Sequence, residues 1–387
     1  MIELDYDVYS SPKVTIKVIG VGGAGGNTVN AIISKGATDI EFLAANTDAQ
    51  ALERSHAHRT IQLGTKVTRG MGAGANPLHG KQAAQETLDE LISWVGHTDM
   101  VFLTGGMGGG TGSGAMPIIA QALKEKGILT VAIVTKPFTF EGKRRTVIAH
   151  QALLELQDTV DTLIVIPNQR LLDLVGARVS MINAFSLIND HLANSITGIY
   201  DIITKPGYIN VDFADLRTIM HNSGMAIMGT GRAKGDDRAV TAARAAICSP
   251  LLEDMNVAGA RGVLLNIAGG VDMGIHEISA AASLIQEQVQ AVNGHDEMNV
   301  IIGSVVDESL DEELVVTVIA TGFSYTQTET GHPSVAHTSH VESDHYTISP
   351  KPAAQVKDSS EVEYTKDFDI PAFMRLTPAI KQPFEKQ

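Results

Sequence analysis

Asp212 and Asp215 stand three residues apart in Asn210-Val-Asp-Phe-Ala-Asp215, at the expected start of a helix. That spacing puts both carboxylates on one side of the helix. With the Asn210 amide they can polarise a water and orient it at phosphorus. The same residues also suit a plain helix start, with Asp212 as N-cap and Asp215 completing an acidic first turn. A second constellation carries no charge. The stretch GGMGGGTGSGA, Gly105 to Ala115, holds seven glycines in eleven residues. So many glycines cost backbone entropy on folding. In return, successive N–H groups of Gly109, Gly110 and Gly112 can converge on an anion, helped by the positive end of the helix starting near Gly112. Thr111 and Ser113 add hydroxyl donors. No Gly-Lys-Ser/Thr ends the loop, so it is not a P-loop.

Two further glycine turns accompany it. Gly20-Val-Gly22-Gly23-Ala24-Gly25-Gly26-Asn27 matches G-x-G-x-x-G between a strand and a helix. Glu41 lies about 20 residues on, the rough distance of a ribose-binding acid, so an NAD(P)-dependent oxidoreductase is one reading. Two glycine turns at neighbouring strand ends point instead to one polyphosphate held between them. Gly70-Met-Gly-Ala73-Gly74-Ala75-Asn-Pro77 precedes a helix, and its backbone can meet a terminal phosphate. Glu141 and Arg145, at i and i+4, can reach ribose and phosphate, or form an exposed helix salt bridge.

The elements that must position these groups alternate. Val14–Ile19, Glu41–Ala45, Met100–Leu103, Leu129–Val134 and Thr162–Ile166 read as strands. Asn27–Lys35, Lys81–Val95, a stretch running to Lys126, and Arg145–Asp158 read as helices. This is the pattern of a parallel sheet covered by helices. A longer helix follows, about Val179 to Thr204, with Ile182, Phe185, Ile188, Leu192, Ile196, Ile199 and Ile203 on one face. Beyond Pro206-Gly207 comes a second α/β region with a mixed sheet. The expected architecture is thus a Rossmann-like parallel-sheet domain (13–178), a central helix (179–205) and a smaller mixed-sheet α/β domain (206–323). An extension (1–12), a disordered linker (324–366) and a tail (367–387) flank them. A helix of about 25 residues is roughly 37 Å long. It separates the acids from the glycine turns, so the two would cooperate between molecules stacked head to tail, a contact that generates open filaments.

Composition narrows the function. The net charge of −15 over 387 residues argues against a nucleic-acid footprint, and no apolar run is long enough to insert in a membrane. The single cysteine, Cys248, fits a reducing cytoplasm.

Six motifs together resemble the tubulin/FtsZ family. They are Gly105–Ala115, Gly22–Asn27, Ala45-Asn46-Thr-Asp48, Gly72–Pro77, Phe140–Arg145 and Asn210–Asp215. The resemblance covers residues 13–323 and implies a GTPase of bacterial cell division that polymerises into protofilaments. It places guanine at Asn189 and Asp190 with Phe185 stacking nearby, Asn168 and Glu141 near the ribose, and Arg145 near ribose or phosphate. It assigns Asp212 and Asp215 to the neighbouring subunit's site, and Mg2+ to the phosphates of GTP or GDP, mostly through water. The tail Asp367–Arg375 resembles the family's peptide for membrane tethers and division regulators, with Asp369 capping and Ile370, Phe373 and Met374 forming an apolar triad for groove docking. The implied location is the mid-cell division site.

Overall fold

β-branched runs become strands and the helical patterns become helices, in near-strict alternation. The computed structural model describes residues 14–37, 39–174, 179–205, 207–249, 260–293 and 299–323. The expected extension, linker and tail, including Asp369, Ile370, Phe373 and Met374, lie outside the described residues.

In chain order the first half runs β1 (Ile16–Val21), α1 (Gly22–Ser34), β2 (Glu41–Asn46), α2 (Ala49–Glu53), β3 (Arg59–Gln62), α3 (Pro77–Val95), β4 (Met100–Gly106), α4 (Thr111–Glu125), β5 (Leu129–Lys136), α5 (Lys143–Thr159), β6 (Thr162–Pro167) and α6 (Asn168–Leu174). The long helix α7 is Met181–Thr204, and α8 is Phe213–Met220. Then come β7 (Gly224–Ala233), α9 (Arg238–Ile247), β8 (Gly262–Gly269), α10 (Ile275–Asn293), β9 (Asn299–Val306) and β10 (Leu314–Phe323).

The strands form one ten-stranded sheet in the order β3-β2-β1-β4-β5-β6-β7-β10-β8-β9. β1 to β6 are parallel, and the central strands β1, β4 and β5 are buried on both faces, as in sheets covered by helices on each side. The second half is mixed, as expected: β10 inserts antiparallel between β7 and β8. The halves join edge to edge through a short register, Thr162–Ile164 against Gly224–Ala226.

One core cluster lies under α3, α4 and α5, with Leu91, Met116, Ile119 and Leu153. Another lies under α9 and α10, with Ala242, Ala281 and Ile285. The third, under α1, α7 and α8, spans both halves: Leu192, Ile196 and Ile199 share it with Val131 and Leu264. Each fully buried aliphatic side chain there contributes about 1.5–3 kcal/mol, so α7 fastens the halves together.

The apolar stripe of α7 departs from expectation at both ends. Ile188, Leu192, Ile196 and Ile199 are buried, but Ile182 is 81% exposed and Phe185 41% exposed. In those first two turns Phe185 meets Phe138 edge-on, and Ala184 packs against the core. At the other end Ile202 is buried and Ile203 is not. α1 also starts earlier than expected, so the glycine turn after β1 is itself its first turn.

Candidate functional site

β1 and β4 are neighbours in register, with Val21 beside Gly105, yet the chain leaves β1 toward β2 on the other side. Strand order therefore reverses between them, which opens a crevice at the C-terminal strand ends. Both glycine turns lie there. α1 and α4 begin at this edge, so both N-terminal dipole ends face the crevice.

The glycines fall into two groups. A Cβ at Gly25 would lie 2.5 Å from Thr104 O, at Gly112 2.4 Å from Gly106 O, and at Gly114 2.0 Å from Pro77 O. A Cβ at Gly110 would lie 2.8 Å from Asn76 N. These glycines let backbone pack on backbone. By contrast, a Cβ at Gly23, Gly26, Gly74 or Gly109 would meet nothing within 4 Å. Those four border open space, where a phosphate chain can lie against bare amides.

The hydroxyls divide in the same way. Ser113 is only 2% exposed, and its Oγ accepts from Gly108 N at 2.8 Å, so it braces the loop from inside. Thr111 Oγ1 meets Thr47 Oγ1 at 2.7 Å, tying the α4 start to the turn after β2. In that turn Asn46 accepts from Asp48 N at 3.3 Å, and Asp48 caps α2. Asn27 and Ala24 sit on the first turns of α1, Asn27 exposed.

The third glycine turn has positive φ at Arg69, Gly70, Gly72, Gly74 and Ala75, a run that turns backbone amides to one side. Ala73 is buried beneath it, and Asn76 caps α3 by accepting from Leu78 N at 3.1 Å. Glu86 on α3 holds the approach to this turn. Its carboxylate accepts from Thr65 Oγ1 at 2.9 Å and from the backbone amides of Lys66 and Val67. Those donors, the Lys66 amide above all, hold the carboxyl below its ordinary value.

On the other flank, Glu141 pairs with Arg145 and accepts from Phe138 N at 3.0 Å. The i, i+4 salt bridge foreseen for this pair is therefore formed, but Glu141 sits on the turn before α5 and is largely buried, so it is not an exposed pair on the helix itself. Phe138 stacks on Phe140 and meets Phe185 edge-on at 5.5 Å. Asn168 opens α6 at the end of β6; it is 5% exposed, and its Oδ1 has no hydrogen-bond partner within the chain. A buried amide oxygen left so is costly and suits a ligand donor. Asn189 and Asp190 lie on α7, half-buried. Asp190 is bound by Lys35 at 2.8 Å, and the same ammonium reaches Asn194 Oδ1 at 2.9 Å. Sequence reasoning missed Lys35 and Glu86, which stand in no motif, and gave no role to Thr47, which stands in one; all three act across elements.

The acidic pair lies elsewhere. Asp212 Oδ1 accepts from Asp215 N at 2.7 Å, so Asp212 does cap α8, and both carboxylates are exposed. Asn210 Oδ1 accepts from Gly207 N at 2.8 Å. α8 touches the N-terminal strand edge: Arg217 donates to Gly127 O just before β5, while Met107 of the glycine loop bonds Thr135 O near the other end of β5. One molecule thus carries the acids and the glycine turns at opposite ends of the strands.

Glu41 corrects the dinucleotide reading. It starts β2 beside Lys17 and pairs with its ammonium at 2.8 Å. A ribose-binding acid belongs at the C-terminal end of that strand, so the oxidoreductase alternative fails.

Residues 15–176 match the model of the Tubulin/FtsZ family, GTPase domain, and residues 224–324 that of the FtsZ family, C-terminal domain. Cell division protein FtsZ of Coxiella burnetii is 46% identical over 380 residues, covering 95% of this chain and 97% of that protein. The chain belongs to the FtsZ family. It is a tubulin-like, filament-forming GTPase of cell division. Another relative, the Pseudomonas putida FtsZ, is 51% identical over 322 residues, with 83% of this chain and 79% of that protein aligned. Among solved structures, an empty FtsZ dimer of M. jannaschii superposes with a TM-score of 0.76 at 39% identity, over 81% of this chain and 89% of that one. CetZ2 from Haloferax volcanii, at 22% identity and a TM-score of 0.69 over 81% of this chain and 95% of that one, shares the fold.

Proposed function

We propose that GTP lies along the crevice, its phosphates on the amides around Gly23, Gly26, Gly74 and Gly109, and that hydrolysis waits for a second molecule. Guanine would stack by Phe185 and be read by Asn189 and Asp190, with Asn168 and the Glu141–Arg145 pair at the ribose. Asn210, Asp212 and Asp215 of the next copy would then cover the terminal phosphate and orient the attacking water. Magnesium would sit on phosphate oxygens and water and offset their charge. The observation that carries this reading is the opposition of sites: exposed carboxylates at one end of the strands, bare amides at the other, with α7 about 36 Å long between them. A head-to-tail contact joins unlike surfaces and repeats without closing, which builds a filament.

The test is GTP turnover against protein concentration, with light scattering in GTP and magnesium. Turnover per molecule should rise sigmoidally and in step with scattering. A rate per molecule independent of concentration would sink the two-molecule site. The tail Asp367–Arg375 is read as the docking peptide for membrane tethers and division regulators at mid-cell, from its pattern and resemblance. Among the described residues no helix is long and apolar enough to cross a membrane.

A further inference from the structure

The segment 207–212, between α7 and α8, carries Asn210 and Asp212 on an exposed face, and something must hold its backbone. Three contacts do so, all from β9. Gly207 lies on the Ser304 carbonyl so closely that a Cβ would fall 1.5 Å from it. Val211, 5% exposed, wedges against Gly303, where a Cβ would lie 2.9 Å from Val211 Cγ2. Between them Ser304 brackets Ile209: its Oγ accepts from Ile209 N at 2.8 Å, and its own N donates to Ile209 O at 2.9 Å. Ser304 is 2% exposed, so its hydroxyl is committed to the chain and not to solvent. Without it, the amide of Ile209, a residue itself 43% exposed, would lose its partner within the chain and the segment would be free to shift, and the next residue is Asn210.

We propose that Ser304 is a positioning residue for GTP hydrolysis: its buried hydroxyl fixes the Ile209 backbone and so aims the Asn210–Asp215 face that one molecule presents to the next. The inference rests on the two-molecule reading above. Ser304 touches no nucleotide itself. It acts by holding the presented groups to sub-ångström placement, on which turnover depends steeply. The bracket also explains why glycine precedes it at 303 and faces it at 207: both leave room for the segment to lie flat on the strand.

The test compares Ser304→Ala, Ser304→Cys and Ser304→Thr in the full chain. Cysteine keeps the volume with a weak acceptor, and threonine keeps the hydroxyl. Turnover per polymerised subunit should fall roughly tenfold in S304A and S304C and stay within about twofold in S304T. Two readouts should not move: GTP affinity below the assembly threshold, and sedimentation with a non-hydrolysable GTP analogue. Unchanged turnover in S304A and S304C would overturn the proposal. So would an equal loss in S304T, which would make packing the cause, or a parallel loss of GTP affinity, which would make the effect global. Failure of the underlying reading looks different: turnover of the unaltered protein would be independent of concentration, whatever the Ser304 variants do.

Discussion

Asp212 Oδ1 accepts the backbone N–H of Asp215 at 2.7 Å, so the first of the two acids both caps α8 and faces solvent. Capping and chemistry can be separated by substitution. Asp212→Ser keeps a good cap and removes the carboxylate, whereas Asp212→Ala removes both and should cost about 1 kcal/mol of stability. Turnover should collapse in both, while urea midpoints fall only for alanine. Asp215→Ala should keep GTP binding and lose most turnover. Equal loss of binding would contradict its place at the far end of the strands.

Two glycines of one loop should behave in opposite ways. Gly114→Ala places a methyl 2.0 Å from Pro77 O, between α3 and α4. Overpacking there should cost about 1–3 kcal/mol, seen as a lowered melting temperature. Gly109→Ala meets nothing within 4 Å. It should leave the melting temperature of the nucleotide-free protein unchanged and weaken GTP binding. A stable Gly114→Ala protein would refute the division into packing and open glycines.

Glu86 links pH to the third glycine turn. Its carboxyl is held below the ordinary value by the Lys66 amide first, with Thr65 and Val67 adding to it. The charged form is the one that binds the loop, so the contribution is present above the ordinary glutamate range and lost as pH falls through the lowered value. Glu86→Gln should weaken GTP binding at neutral pH, and hydrogen exchange at Thr65–Val67 should quicken. A variant with unchanged exchange would show that the carboxylate does not hold the loop.

His191, one residue past Asp190 on α7, is pushed down to about 4 by burial. It is neutral in the fold, and the unfolded chain takes up its proton first as pH falls. Stability should therefore decline from about pH 6.5 to pH 4, by roughly 3 kcal/mol for this group. His191→Leu should flatten that limb in urea midpoints measured across the range. An unchanged slope would assign the acid sensitivity to other groups.

Much of this was legible in the sequence because it is periodic. Val101-Phe-Leu103 and Val131-Ala-Ile133 are continuous apolar runs, as strands buried on both faces must be. β3 escaped because it is an edge strand of four residues with only Ile61 buried, and α2 and α6 because five and seven residues are too few to show a helical period. The stripe of α7 runs past the buried residues at Ile182 and Phe185 because periodicity records the face of a helix but not how far along it the core reaches.

The sequence alone determined the order of the longer strands and helices, the three glycine turns, the acidic pair and the distance that α7 imposes between them, since each follows from local spacing. Only the tertiary structure separated Gly114 from Gly109, identical letters five places apart, because the space at a missing Cβ belongs to backbone from another element. It likewise put Glu41 at the wrong strand end for ribose and Ser304 beneath Ile209. Which groups meet across 95 residues of chain is decided by packing, and no local period records it.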